Sequence, residues 1–320
     1  MVIYILFIII GFLLLIKGAD FLVNGASKIA EKFKIPTIII GLTIVAVGTS
    51  TPELMVSTTA ALQNHADMSI GNVIGSNLIN LFFILGICST IKPLKFQKET
   101  EKFENIILVF ATLLLLLFGN TDNYIINRIE GLILITCCIL FILYNIFMAK
   151  KRKSDTLIEL KEGKEKNISN VACIVNIMIG IIALKIGGDI VVKYASKIAI
   201  IAGLSEKIIS VTIIALSTSL PEFITSIIAT IKGETDMAIG NILGSQIFNI
   251  FLIIGLSAVL SPINYSINYN IDMYFLIFGT ILFLFFPFTG KKHYMTRLNG
   301  VIFVIIYLIY LLYSILKVII

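Results

Sequence analysis

Residues 46–80 read AVGTSTPELMVSTTAALQNHADMSIGNVIGSNLIN, and residues 215–249 read ALSTSLPEFITSIIATIKGETDMAIGNILGSQIFN. The two stretches agree at 15 of 35 positions without a gap. Shared hydrophobicity alone would not match Thr, Ser, Pro, Glu, Asp, Gly and Asn position by position, so the chain carries an internal duplication. The same offset of 169 aligns Asp20 with Asp189, Ala26-Ser27-Lys28 with Ala195-Ser196-Lys197, and Pro93 with Pro262.

The rest of the chain says what solvent this repeat lives in. Of 320 residues 58% are hydrophobic, and the mean hydropathy is +1.01, outside the range of soluble domains. The apolar runs are about as long as the ~20 residues needed to cross a ~30 Å hydrocarbon core, and charges collect between them. Ten runs are read, near 2–19, 36–62, 69–91, 104–119, 127–149, 170–192, 207–231, 237–260, 271–289 and 299–319. The fourth is the weakest, with a short apolar core from Ile106 to Phe118 and Glu104 at its edge. The first has neither a charged leading segment nor a small-residue cleavage site, so it is expected to be a retained helix.

The expected fold is an all-α polytopic membrane protein with ten transmembrane helices. Each copy of the repeat holds five, an odd number, so the second copy enters the membrane upside down relative to the first. The first five-helix repeat is read at 1–148, with its motif at 41–80, and the second at 170–320, with its motif at 210–249. Between them, 149–169 (AKKRKSDTLIELKEGKEKNIS) is a highly charged segment expected to be a cytoplasmic linker.

A net charge of +6 raises nucleic acid as a partner, but the basic residues are spread by loop with no aromatic-interleaved patch, which argues against it. Their distribution reports orientation instead. With the N-terminus outside, the inner loops hold 18 Lys and Arg against 5 in outer loops and termini. That bias predicts a multi-pass cell-membrane protein with both termini extracellular. Cys88, Cys137, Cys138 and Cys173 lie in or at the ends of apolar segments, without the spacing of a zinc site or a disulfide framework. Lys17 and Lys185 read as snorkelling side chains with Asp20 and Asp189 as their partners. Asp67 and Asp236 read as helix starts, and His65 and His293 as loop residues.

The polar residues inside the apolar spans carry the chemistry. In each copy the second helix contains T-S-x-P-E: Thr49-Ser50-Thr51-Pro52-Glu53 and Thr218-Ser219-Leu220-Pro221-Glu222. Proline lacks an N–H and clashes with the carbonyl four residues back, so it frees main-chain oxygens near Gly48 and Ser217 and bends the helix. Such carbonyls are tolerated at membrane depth only where they face a cavity or ligand. One turn on from Thr49 and Thr218, the glutamates share their face. The third helix adds G-N-x-x-G-S-x-x-x-N, placing Ser76 with Asn80, and Ser245 with Asn249, four residues apart on one face.

This is a cage of oxygens. Hard cations such as Ca²⁺ take about six to eight oxygen ligands including carboxylates, and two glutamates balance one divalent charge. The same groups can hold Na⁺, whereas zinc and copper lose their usual His and Cys ligands. Protonated, hydrogen-bonded carboxyls are the plainer reading of Glu53 and Glu222, but an ionisable residue at membrane depth is costly and here occurs in symmetric positions. Interhelical hydrogen bonding for Asn80 and Asn249, and back-bonding for Thr49, Ser50, Thr218 and Ser219, remain open. No Ser-His or paired-Asp arrangement suggests an enzyme, and no ring-forming loop suggests a channel.

The motifs GTSTPE with GNVIGSNLIN, and STSLPE with GNILGSQIFN, resemble the alpha repeats of the sodium/calcium exchanger family, within the calcium/cation antiporter superfamily. The resemblance covers essentially the whole chain and is nearest in length to the compact prokaryotic members. It implies a core of helices 2, 3, 7 and 8, with long tilted helices 1 and 6 sliding past it. It implies Ca²⁺ ligands at Glu53, Glu222 and the backbone oxygens of Thr49 and Thr218. Flanking Na⁺ positions would draw on Ala46, Ser50, Ser76, Ala215, Ser219 and Ser245, with Asn80 and Asn249 lining the middle. Three positions depart from the family pattern: Ser217 in place of glycine, Gln246 in place of asparagine, and Asn249 in place of the aspartate many relatives carry. The last argues against the potassium-dependent branch. The proton/calcium exchangers of the superfamily typically have histidine in the third-helix motif, and its absence here favours sodium coupling.

The implied function is Na⁺/Ca²⁺ antiport by alternating access, with the two ions competing for a midplane site; H⁺/Ca²⁺ antiport is the alternative. Protons are expected to compete at acid pH. No cofactor and no obligatory protein partner is implied, only Ca²⁺, Na⁺ and surrounding membrane lipid. The linker is too short for the cytosolic calcium-sensing domains of animal exchangers.

Overall fold

The computed structural model describes residues 2–96, 103–121, 123–159, 170–203, 217–286 and 293–319. The first helix, α1, runs Val2–Phe33. A bent pair follows, α2 (Thr37–Thr49) and α3 (Thr51–Leu62), and then α4 (Asp67–Ile91), α5 (Asn105–Gly119) and α6 (Arg128–Glu159). The second half holds α7 (Asn170–Ile201), α8 (Leu220–Lys232), α9 (Thr235–Leu260), α10 (Tyr269–Phe285) and α11 (Arg297–Ile319).

The chain is a mostly helical membrane protein. Each apolar run read from the sequence holds a helix, but among the described residues six are long and apolar enough to cross a membrane, or seven if α2 and α3 form one broken span. The helices α5 and α10 are shorter, at 15 and 17 residues. Helix α6 continues to Glu159, well into the expected linker, because Ala149 to Lys153 contains no glycine or proline to end it. Residues 160–169 of that linker lie outside the described residues. Both α1 and α7 are 32 residues long, roughly 48 Å at 1.5 Å per residue, too long to stand upright in a ~30 Å core.

Burial follows a membrane logic. Helices α4 and α9 are mostly buried. Large apolar side chains lie exposed on the outer helices, including Leu6 on α1, Phe147 on α6 and Ile309 on α11. In water such a surface would be an association hazard; in lipid it is the solvated face. One apolar core surrounds α4 and α9, and a second joins α1 to α7 and to the face of α8 that carries Ile224 and Ile228.

Backbone meets backbone where α1 crosses α7. A Cβ on Gly18 would come within 2.9 Å of the Gly180 carbonyl oxygen, and one on Gly11 within 2.9 Å of the Gly187 oxygen. The 169-residue offset exchanges these two contacts, since Gly11 and Gly18 correspond to Gly180 and Gly187. Small residues permit such close approach, which in lipid is a main source of helix adhesion.

The expectation of an all-α chain needs one small amendment. Four two-residue strands form two antiparallel ribbons: β1 (Leu94–Lys95) with β4 (Tyr294–Met295), and β2 (Ile125–Ile126) with β3 (Ile263–Asn264). Leu94 pairs with Met295, and Ile126 with Ile263. The offset exchanges one ribbon for the other, so these loop ends satisfy their backbone groups across the repeats in a two-fold pattern.

Candidate functional site

The helix break predicted at Pro52 is present, and residues 204–216, ahead of Pro221, lie outside the described residues. Helices α2 and α3 meet at 48°, and the hinge residue Ser50 sits at φ −82°, ψ 8°, outside the helical region. Its mate Ser219, immediately before α8, has φ −87° and ψ 1°. Pro52 and Pro221 stand in the first turn after each hinge, where a missing N–H costs the helix nothing. The third helices share a local device as well. The α-helical pattern of α4 opens into a π-helical stretch at Ile79–Ile84, and that of α9 at Asn249–Ile254, so Asn80 and Asn249 both lie where the helix is overwide. Stretches of this kind recur at functional sites because they re-aim side chains and carbonyls.

Glu53 and Glu222 are completely buried. Glu222 reaches the first copy at Ser50, three residues before Glu53. The Ser50 hydroxyl donates to Glu222 Oε1 at 2.8 Å, but Glu222 Oε2 and both oxygens of Glu53 have no hydrogen-bond partner among the described residues. The Oγ atoms of Ser219 and Ser245, the whole amide of Asn80 and Oδ1 of Asn249 are likewise buried and unpartnered. Leaving one such group dry costs about 1–3 kcal/mol, and more for a charge, so a cluster around two carboxylates is a place prepared for a ligand.

The remaining polar groups form a two-fold frame. Thr49 Oγ1 donates to Asn241 Oδ1 at 3.0 Å, and its mate Thr218 donates to Asn72 Oδ1 at 3.3 Å. The amide nitrogen of Asn241 donates to Ser226 Oγ, and that of Asn72 to Ser57 Oγ, each at 3.0 Å. Ser76 and Thr218 hydroxyls lie 3.4 Å apart. At the centre Asn249 Nδ2 donates to Asn77 Oδ1 at 3.0 Å, and Asn77 Nδ2 to the Gln246 carbonyl at 3.2 Å.

The sequence-predicted residues therefore occupy different positions. Glu222, Thr49, Thr218, Ser50 and Ser76 meet residues of the other repeat through the contacts above, while Glu53 is buried with both carboxylate oxygens unpartnered among the described residues. Ser219, Ser245, Asn80 and Asn249 present buried polar atoms without partners. The Ala46 carbonyl already accepts from Ser50 N at 2.9 Å and from Thr49 Oγ1 at 3.3 Å. Ala215 lies outside the described residues.

Sequence reasoning did not pick out Asn72 and Asn241, which hold Thr218 and Thr49 from the opposite copy, nor Ser57 and Ser226 behind them. The signal was present: the asparagine of each G-N-x-x-G-S stands four residues before Ser76 or Ser245, one turn away on the same face. Lys185 pairs with Asp189 at 2.9 Å as expected. Asp20 does not pair with Lys17; it is bridged by Lys232 of α8 and accepts from Asn24. Asp67 and Asp236 do stand in the first turns of α4 and α9. Among the described residues there is no group of three or more His, Cys, Asp or Glu that could hold a metal ion.

A profile of the sodium/calcium exchanger protein family matches residues 3–148 and 173–316. The chain belongs to that family. Members of the sodium/calcium exchanger family are transporters, not enzymes, and the family placement supports cation/Ca²⁺ exchange. The chain is 34% identical over 276 residues to inner membrane protein YrbG of Escherichia coli strain K12, covering 82% of this chain and 83% of that one. It is 28% identical to sodium/calcium exchanger MaX1 of Methanosarcina acetivorans, over 94% of this chain and 95% of the relative. Among solved structures, the sodium-calcium exchanger NCX_Mj superimposes with a TM-score of 0.82 at 28% identity, over 96% of this chain and 97% of that chain.

Proposed function

We propose that the protein is a secondary antiporter exchanging Na⁺ for Ca²⁺ by alternating access, through ten helices arranged as two inverted five-helix repeats. In this reading the repeats are 1–148 and 170–320, joined by 149–169 on the cytoplasmic side, with both termini outside the cell. The observation that carries it is that Glu53 and Glu222 are both buried, each in the first turn of a helix that begins with a proline, and that three of their four carboxylate oxygens have no hydrogen-bond partner among the described residues.

Those oxygens need positive charge. One Ca²⁺, or several Na⁺, satisfies them, and either set fills the same space, so the ions exclude one another. The hydroxyls of Ser50, Ser219, Ser76 and Ser245, the backbone oxygens of Thr49, Thr218, Ala46 and Ala215, and the amides of Asn80 and Asn249 supply neutral ligands suited to hard cations. With neither ion set bound, the carboxylates are unpaired in a low-dielectric interior, so the empty protein resists the movement that exposes the site to the other side. Obligatory exchange follows from that resistance. The glycine-lined crossing of α1 with α7 gives a surface along which the two long helices slide together past the α4 and α9 core.

The test is ⁴⁵Ca²⁺ uptake into proteoliposomes loaded with Na⁺ and diluted into Na⁺-free buffer, beside Glu53→Gln protein and a pH-gradient control. Uptake that requires internal Na⁺ and disappears with Glu53→Gln supports the proposal. Uptake driven by a pH gradient alone assigns the protein to H⁺/Ca²⁺ exchange instead.

A further inference from the structure

A cavity of about 290 Å³ opens beside the site, bounded by Met55 of α3, by Lys185, Asp189 and Lys193 of α7, and by Thr218 and Pro221 at the second hinge. Thr218 belongs to the hydrogen-bonded frame around the carboxylates, so the cavity reaches the site. The mate of Met55 is placed differently. Met55 is 51% exposed, whereas Ile224 packs against the apolar cluster with α1. The cavity thus lies on the side where α7 faces α3.

The charges at this mouth run against the cargo. Lys185 and Lys193 contribute two positive charges and Asp189 one negative, leaving +1 among these lining residues. Lys185 Nζ donates to Asp189 Oδ2 at 2.9 Å, with the two side chains 41% and 66% exposed. The duplication did not dictate the lysines, because the matching positions on α1 hold Ile16 and Asn24. The aspartate is duplicated, as Asp20, and there Lys232 of α8 and Asn24 of α1 hold it.

We propose that Lys185 and Asp189 set the electrostatic threshold for cation access through this cavity. Lys185 opposes cations approaching Thr218 and the glutamates; Asp189 draws its ammonium aside and offsets its charge. A charged cleft with low-dielectric walls focuses the field of such a pair on ions passing it. The inference rests on the cation-exchange reading above and adds the residues that tune access to the same site.

The experiment measures half-saturating Ca²⁺ and Na⁺ on each face, using right-side-out and inverted membrane vesicles carrying wild-type, Lys185→Gln, Asp189→Asn or Asp189→Glu protein. On the cavity face Lys185→Gln lowers half-saturating Ca²⁺ about fivefold and Na⁺ about twofold, because Coulomb work doubles with the charge of the ion. Asp189→Asn raises both in the same relation, and Asp189→Glu restores wild-type values. Raising ionic strength with choline chloride from ~0.1 M to ~1 M shrinks every effect, as the screening length falls from ~10 Å to ~3 Å. Values on the opposite face stay unchanged.

Unchanged half-saturation in Lys185→Gln vesicles that still exchange overturns the proposal. So do shifts that are equal for Ca²⁺ and Na⁺ and indifferent to salt, since those report a structural role. A wild-type protein that moves no Ca²⁺ against a counter-ion sinks the transport reading itself, and this inference with it.

Discussion

The Ser50 hydroxyl donates to Glu222 at 2.8 Å across the boundary between the two copies, whereas its mate Ser219 gives no such bond to Glu53. The sequence around both hinges is nearly the same, so the difference belongs to the conformation. Where α1 packs against α8, Ile224 joins an apolar cluster; between α7 and α3 a cavity remains. The two copies therefore differ in local packing, and the inequality is visible in one hydrogen bond.

Removing each serine therefore has unequal effects. A hydrogen bond to a charged group contributes about 1.5–3 kcal/mol, so Ser50→Ala should destabilise the ion-free protein by roughly that amount. Ser219→Ala, which breaks no bond in this conformation, should change stability by less. Thermal unfolding in detergent without Ca²⁺ or Na⁺ checks this, and equal losses from the two variants would show that the asymmetry does not persist in solution.

Glu53→Gln replaces a buried carboxylate whose two oxygens have no hydrogen-bond partner among the described residues. The ion-free protein should melt at a higher temperature than wild type, because an uncompensated buried charge is removed. Saturating Ca²⁺ should raise the wild-type melting point, by about 2.7 kcal/mol of stabilisation at a hundredfold excess over Kd, and should leave Glu53→Gln unmoved. A calcium-induced shift that survives in the variant would place the ion elsewhere.

Protons are the smallest cations able to neutralise a buried carboxylate, so they should compete with Ca²⁺ at Glu53 and Glu222. Half-saturating Ca²⁺ should stay flat at neutral and alkaline pH and rise as the medium is acidified, with the maximal rate recovered at high Ca²⁺. Exchange assayed with equal pH on both sides separates this competition from proton coupling. An affinity that is level throughout an acid titration would count against it.

At the α1 and α7 crossing, Gly18→Val should be far more harmful than its location away from the ligands suggests. Even a Cβ at Gly18 would lie 2.9 Å from the Gly180 oxygen and 2.9 Å from Leu184 N, and backbone atoms cannot yield as side-chain tips do. Overpacking of this sort costs typically 1–3 kcal/mol, and transport should fall at least tenfold. Gly75→Ala, where nothing lies within 4 Å of the added carbon, is the control for helix propensity and should retain exchange. Loss of exchange in both would point to helix backbone effects and away from the crossing.

Much of the site is legible in the amino-acid sequence. A glutamate is expensive in an apolar span, and finding it twice, each time behind a proline and a Thr-Ser pair, singles out Glu53, Glu222 and the residues beside the prolines as candidates, and the structure buries both glutamates. Asn72 and Asn241 are harder. An asparagine on a helix is as well suited to gluing helices as to orienting a ligand, and only the contact to a threonine of the opposite copy separates the two roles. Asp20 and Asp189 show the same limit, since identical repeat positions took their partners from α8 in one case and from their own helix in the other.

What the sequence by itself determined is the class of molecule: apolar runs of span length, a duplication at a fixed offset, and polar residues recurring inside the runs. These are local quantities, set by hydropathy, helical periodicity and the backbone chemistry of proline. What only the tertiary structure decided is which mates meet, which remain apart, and on which side of the site a cavity remains. Such choices depend on the packing of α1 and α7 against the core, and two copies of one motif do not by themselves say how each copy packs.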